Sequence, residues 1–201
     1  MGVNLKVDFC SHEAAKYAVM KWHYSKAMPA GKLIKIGVWE NESFTGVIIF
    51  SRGATVNIGK PFGLNQTEVC ELTRVALSKH NCNVSRIISL GIKLLKKYNE
   101  GLRLIVSYAD SGQGHLGIIY QAGNWLYSGY HTGEIYININ GHVMHRRSVH
   151  AKYGTSSIEK LKGSKKVYAS GKYKYLMPLD KKMRKKIEVL RKPYPKELKN
   201  A

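Results

Sequence analysis

Residues 102–130, LRLIVSYADSGQGHLGIIYQAGNWLYSGY, decide the fold. An apolar run at Leu104, Ile105 and Val106 reads as a buried strand and ends on Ser107, Tyr108 and Asp110. A Gly-rich turn then opens a helix expected over Gln113–Gln121, and a second, aromatic strand is expected from Trp125. Strand, turn, helix and strand make an α/β unit, and open α/β sheets present ligand-binding groups at the carboxyl ends of their strands. Asp110 stands at such an end.

Working outward, VNLKVD (3–8) reads as a short strand, and Ser11 as the N-cap of a helix over His12–Trp22 with Glu13 in its first turn. HYSKAMPAGK (23–32) is a loop. KLIKIGVWE (32–40) and FTGVIIFSRG (44–53) are β-rich runs joined as a hairpin at 41–43. VCELTRVAL (69–77) alternates as a strand does, and Asn83 or Ser85 is expected to cap a helix over Arg86–Asn99. Beyond the central unit, GEIYINI and HVMHRRSV flank Asn140-Gly141, whose type I′ turn signals a second hairpin. YKYLMPL (173–179) reads as a last strand. The expected organisation is a single domain over 1–180 and a basic C-terminal tail over 181–201, helical in part from Lys181 to Leu190.

The chain has 201 residues and a formal charge of +20, from 33 Lys and Arg against 13 Asp and Glu. Residues 160–199 hold fifteen of those cations and three acids, interleaved with Tyr168, Tyr173, Tyr175 and Tyr194. Cations for phosphates and aromatics for bases point to nucleic acid, with Arg146, Arg147, Lys152, Lys165, Lys166, Lys172 and Lys174 as the expected contacts. A solvated, solubilising tail is the plain alternative for the charge run. No apolar run approaches the ~20 residues of a membrane span, and MGVNLKVDFC has no signal-peptide core. Cys10, Cys70 and Cys82 lack C-x-x-C spacing and read as reduced, buried thiols of a cytoplasmic protein.

Arg74, in a strand otherwise built for burial, needs a partner. Either it pairs with Glu71 or Asp110, or it anchors a phosphate or a donor carbonyl. Asp110 is either the cap of the next helix or, with His115 and Tyr120, part of an acid/base site. Ser85 and Ser107 read as packing residues or as donor contacts. His142, His145 and His150 make a poor chelate, because strand positions three apart face opposite ways, so no metal site is expected. Trp125 and Tyr127 read as core.

The element order resembles the GNAT acyltransferase fold, a mixed, splayed sheet with a donor between its central strands. GIIYQAGNW (117–125) is similar to that family's A-x-x-L-Y-E-K-x-G-F segment, which makes Tyr120 the acid toward a leaving thiolate. GNAT enzymes carry R/Q-x-x-G-x-G/A where the strand meets the next helix, and use those amides for the pyrophosphate of coenzyme A. LSKHNCNVS (77–85) has no glycine there. A second resemblance covers most of residues 15–180. W-H-Y-S (22–25), E-L-T-R (71–74), N-C-N-V-S (81–85), S-Y-A-D (107–110), G-H-x-G-x-I-Y-Q-A-x-N-W (114–125) and R-R-S-V-H-A-K-Y-G-T (146–155) resemble the phage Mom family. This resemblance implies a DNA-modifying enzyme that places a carbamoylmethyl group on N6 of adenine, in the cytoplasm of an infected bacterium, and shields the DNA from restriction. It implies His23 and Tyr24 as catalytic residues and favours Arg74 as a donor anchor. Asp110, from its place at the strand end, and Tyr120, from the GNAT resemblance, join the expected catalytic set, with Ser85 and Ser107 as candidate donor contacts. The donor is expected to be acetyl-CoA or glycyl-tRNA, so tRNA joins double-stranded DNA as a partner. Iron belongs to one competing donor scheme and draws no support from the residues. A conventional GNAT acetyltransferase and a non-catalytic DNA-binding protein are the alternatives.

Overall fold

A computed structural model describes residues 2–53, 57–133 and 135–196, without the side chains of His145 and Arg147. In chain order the elements are β1 (Leu5–Phe9), α1 (His12–Trp22), β2 (Leu33–Glu40), β3 (Ser43–Ser51), β4 (Val69–Leu77), α2 (Val84–Lys97) and β5 (Leu104–Asp110). There follow α3 (Ile118–Gln121), β6 (Leu126–His131), β7 (Ile135–Ile139), β8 (His142–His145), α4 (Arg146–Tyr153), β9 (Ser164–Tyr168), β10 (Lys172–Pro178) and α5 (Lys181–Ile187). Seven strands form one mixed sheet in the order β1-β2-β3-β4-β5-β10-β6, and β8-β7-β9 form a second.

Local chemistry accounts for the boundaries. Ser11 accepts the Ala14 amide as the N-cap of α1, satisfying one of the amides a helix start leaves unpaired. The β2–β3 turn needs positive φ at Asn41 (47°) and Glu42 (67°), and the β7–β8 turn at Asn140 (50°) and Gly141 (91°), as a type I′ hairpin requires. Helix α1 lays Ala15, Ala18 and Val19 on Val47, Ile49 and Ala76. Helix α2 covers the opposite face with Ile87, Ile88, Ile92 and Leu95 over Ile36, Ile48, Phe50 and Leu72. Each large aliphatic side chain buried this way contributes about 1.5–3 kcal/mol.

Several expectations are corrected. The helix expected over Gln113–Gln121 is a 3-10 turn at Ser111–Gln113 and then the single turn of α3, because Gly114 (φ 68°) and Gly117 (φ 79°) take the backbone left-handed between them. Ser85 does not cap α2, which starts one residue earlier with Asn83 in the cap position. The strand expected through HVMHRRSV ends at His145, and Arg146 starts α4. Strand β9 was not expected, since SKKVY has little apolar pattern. The basic segment after Asp180 is helical over Lys181–Ile187 with a 3-10 turn at Glu188–Leu190, within the bounds expected. Over its described length it also packs on the sheet. Asp180 caps α5 through the Met183 amide, Met183 and Ile187 are buried under β5 and β10, and Tyr194 donates to the Trp125 carbonyl.

The sheet opens at one place. Strands β4 and β5 run parallel, and pair only from Val69↔Leu104 to Leu72↔Ser107. Just past that last pair, β4 takes an extra residue, Thr73, between its partners for Ile49 and Phe50 of β3. A bulge of this kind bends its strand and sharpens the twist. The tips of β4 and β5 therefore part, with Arg74 on one side and Tyr108 to Asp110 on the other.

Between β6 and β10 the chain leaves the main sheet to build β7, β8, α4 and β9 as a lobe with its own small core of Ile137, Ile139 and Val149. Residues 135–168 of this lobe carry seven Lys and Arg and one acid, Glu159.

Candidate active site

The parting of β4 and β5 forms a cleft of about 440 Å³, lined by Trp22, His23, Tyr24, Arg74, Tyr108, Asp110, His115 and Tyr120 among others. His23, Tyr24, Arg74, Asp110 and Tyr120, expected from four separate stretches of sequence, thus meet in one cavity.

His23 ends α1 with its amide still bonded to the Val19 carbonyl. Its Nδ1 accepts the Ser25 amide at 3.1 Å and lies 2.8 Å from Ser25 Oγ. A backbone N–H only donates, so Nδ1 carries no proton and the neutral ring holds its proton on Nε2. Burial, followed by the charge of Arg74 and the nearby His115, pulls His23 down to about 4. The side chain lines the cleft as a neutral hydrogen-bond donor.

Tyr24 is half-exposed. Its ring lies 4.3 Å from that of His23 and 5.6 Å edge-on to His115, an aromatic wall at the mouth of the cleft. Burial and the Asp110 carboxylate raise its hydroxyl above the ordinary range, so it stays protonated near neutrality. Arg74 donates from Nε to the Ala27 carbonyl at 3.2 Å and from Nη1 to the Thr73 carbonyl at 2.7 Å. These carbonyls orient the guanidinium, and the Glu71 carboxylate adds an attractive charge nearby.

Tyr120 is the floor. Only 7% exposed, it packs on Trp125 and Tyr175 with ring centroids 5.1 Å away in each case. Ser107 Oγ sits 2.8 Å from both the Tyr120 hydroxyl and the Leu72 carbonyl. Burial pushes Tyr120 up to about 12. Ser107 therefore holds the floor beneath the cleft and does not line it. Gly117 lets this layer close, because a Cβ there would come 2.3 Å from the Tyr175 ring.

Asp110 caps the 3-10 turn, its Oδ1 accepting the Gly112 amide at 2.9 Å, and Ser170 Oγ donates to the same oxygen. Ser85 lies in the first turn of α2, outside the residues that line the cleft. The cations divide. Arg146, Lys152, Lys165 and Lys166 are exposed on the lobe, and Lys172 at its junction with β10. Lys174 is turned against the Phe62 ring, its Nζ 5.0 Å from the centroid, and the Arg147 side chain lies outside the described ones. Tyr108, expected at the strand end, and His115, weighed beside Asp110 as an acid/base partner, complete the cleft. Ser25 was marked only as the end of W-H-Y-S, and Ser170 left no signal.

The loop before α2 bears on the donor. Glu40, 4% exposed at the end of β2, accepts the amides of Asn81 and Cys82, both at 2.8 Å, and the Asn81 side-chain amide at 3.3 Å. Burial alone would raise this carboxyl, yet those amides carry it below the usual range. A diphosphate seated on the same amides would have to displace a buried carboxylate, so the loop does not fit the pyrophosphate of coenzyme A in that manner. Among the described residues no three His, Cys, Asp or Glu side chains gather as a metal set. No helix among them is long and apolar enough to cross a membrane.

Comparison with known proteins agrees with this architecture. An acetyltransferase of Bacillus subtilis, solved in complex with CoA, is similar with a TM-score of 0.52 at 10% identity, over 89% of this chain and all of that one. An N-acetyltransferase of Staphylococcus aureus gives 0.50 at 12% identity, over 88% and 98%. At these identities the likeness speaks for the fold, which is that of the GNAT acetyltransferases. In sequence, the methylcarbamoylase Mom of Escherichia phage Mu is 26% identical over 203 residues, 96% of this chain and 84% of that protein. The profile of the Mom protein family matches residues 4–196, nearly the whole length, and the chain belongs to that family.

Proposed function

We propose that this protein is a transferase that places a carbamoylmethyl group on N6 of adenine in DNA. The observation that supports this most is the cleft, which gathers His23, Tyr24, Arg74, Asp110 and Tyr120 where β4 and β5 part.

An adenine inside a duplex hides N6 in the stack, so it must be extruded at a cost of a few kcal/mol. Phosphate contacts from Arg146, Lys152, Lys165, Lys166 and Lys172 offset that cost. The aromatic wall of Tyr24 and His115 receives the extruded ring, as aromatic side chains receive unstacked bases. N6 is a weak nucleophile, because its lone pair is delocalised into the ring. Asp110 takes its proton as the new bond forms. The His23 Nε2–H and the Arg74 guanidinium face the oxygen on which negative charge develops at the donor carbonyl.

The donor is an activated acyl group. A glycyl ester such as glycyl-tRNA accounts for a product joined through CH2. N6 is first acylated and the ester oxygen leaves with a proton. The glycyl amine then attacks C6 through a five-membered ring, and the original nitrogen leaves C6 as the terminal amide. If 15N placed at N6 stays bonded to C6 in the product, that route is wrong. The function itself is tested by mass spectrometry of nucleosides from plasmid DNA in bacteria expressing the chain. A carbamoylmethyl-deoxyadenosine absent from a D110N control supports the reading. Unmodified DNA beside acetylated small amines would turn it toward an ordinary acetyltransferase.

A further inference from the structure

The two ends of the lobe meet beside the cleft. One is Thr132-Gly133, leaving β6, and the other is Ala169-Ser170-Gly171, entering β10. Their backbones are in contact, since a Cβ on Gly133 would fall 1.6 Å from the Ala169 carbonyl oxygen and one on Gly171 2.7 Å from the His131 carbonyl oxygen. This neck grips the turn that carries Asp110. The Ser111 amide and hydroxyl both donate to the Gly171 carbonyl, at 3.0 and 2.7 Å, and Ser111 Oγ lies 3.2 Å from the Tyr130 hydroxyl. The grip leaves no room for a side chain at Gly112, whose Cβ would meet that of Ser170 at 2.5 Å.

At the centre of the grip is the hydrogen bond from Ser170 Oγ to Asp110 Oδ1. The Gly112 amide donates to the same oxygen. One carboxylate oxygen is thus occupied by two donors, on a residue that lines the cleft. A carboxylate tied at one oxygen keeps its second in a single orientation, the geometric requirement for a proton acceptor.

We propose that Ser170 is a positioning residue, by which the neck of the lobe holds the Asp110 carboxylate with Oδ2 presented to the substrate. This rests on the reading of Asp110 as the base. It makes the lobe more than a charged appendage, because the segment that joins it to the sheet is the one that fixes the reacting group. Sixty residues separate Ser170 from Asp110 in the chain, and the close passage of Gly133 and Gly171 brings them together.

The test compares wild type with S170A, S170T and D110N in single-turnover modification of a duplex, beside the affinity for that duplex and the melting temperature. S170A should lower the rate at saturating DNA about tenfold with affinity within twofold, and S170T should restore most of it. Adding S170A to D110N should cause no further loss. A wild-type rate in S170A, or a loss shared by S170T and proportional to a falling melting temperature, overturns the positioning role. Absence of modification by the wild type itself would instead overturn the assignment of the reaction. The two failures are distinguishable.

Discussion

Removing the Ser107 hydroxyl separates the architecture of the cleft from its chemistry. Ser107 is fully buried, stands in the last parallel pair with Leu72, and lies 2.8 Å from both the Leu72 carbonyl and the Tyr120 hydroxyl. In S107A the Tyr120 hydroxyl keeps its burial and loses its partner. Such an orphaned group costs about 1–3 kcal/mol, and the missing oxygen leaves too little space to add much. For a domain of this size that is a fall in melting temperature of roughly 2–10 °C. In Y120F the Ser107 hydroxyl still has the Leu72 carbonyl, so the cost should be smaller, about 0.5–1.5 kcal/mol. The double variant S107A/Y120F removes both ends of the bond and should lie close to S107A alone or above it. The coupling should therefore be of order 1 kcal/mol. Urea denaturation of the four proteins measures it. Costs that add in the double variant would show that these hydroxyls do not act as a pair, and that the floor of the cleft is held by ring packing alone.

His23 should behave as a neutral donor. The rate at saturating DNA should show no ionisation of this residue near pH 6.5, and 15N NMR should find its proton on Nε2 well below that pH. Because its folded value is depressed to about 4, the stability it contributes is present above pH 6.5. It is lost as pH falls toward 4, where the unfolded chain binds the proton first. H23Q, whose side-chain N–H2 keeps a donor, should retain more activity than H23A. Charge reversal at two exposed lobe positions, K165E/K166E, should weaken duplex binding. It should also flatten the dependence of log K on log salt by about 2 or more, while nucleosides of the little DNA bound still carry the modification. Acetyl-CoA should give no thermal shift at concentrations that saturate ordinary acetyltransferases, since Glu40 occupies the amides before α2. A micromolar dissociation constant would contradict that.

The main sheet was legible because its signals are local. The hairpin at 41–43 joins β2 to β3, Ser11 caps α1, and the apolar faces of α1 and α2 follow from residue type and period. Of the lobe only the Asn140-Gly141 hairpin was legible, because its other elements are stabilised by one another. Helix α4 buries Val149 alone among its described residues, too little to stand out in HVMHRRSVHAKY. Strand β9 is polar, and pairs with β7 from Ile135↔Tyr168 to Ile139↔Ser164. In the site, Asp110 was readable as a strand-end carboxylate and Arg74 as a cation out of place. His23 and Tyr24 rested on the family resemblance, since one His in a loop has no pattern of its own. Ser25, Ser170 and Glu40 act through contacts that only the folded chain creates.

A duplex carrying one photoreactive adenine at the modified position, crosslinked to the wild-type protein and mapped by peptide mass spectrometry, tests the central claim most directly. The account predicts adducts on the segments of Trp22–Tyr24 and Tyr108–Tyr120 that line the cleft, lost when the target base is locked inside the helix. Adducts confined to the lobe, with none in those segments, would contradict it.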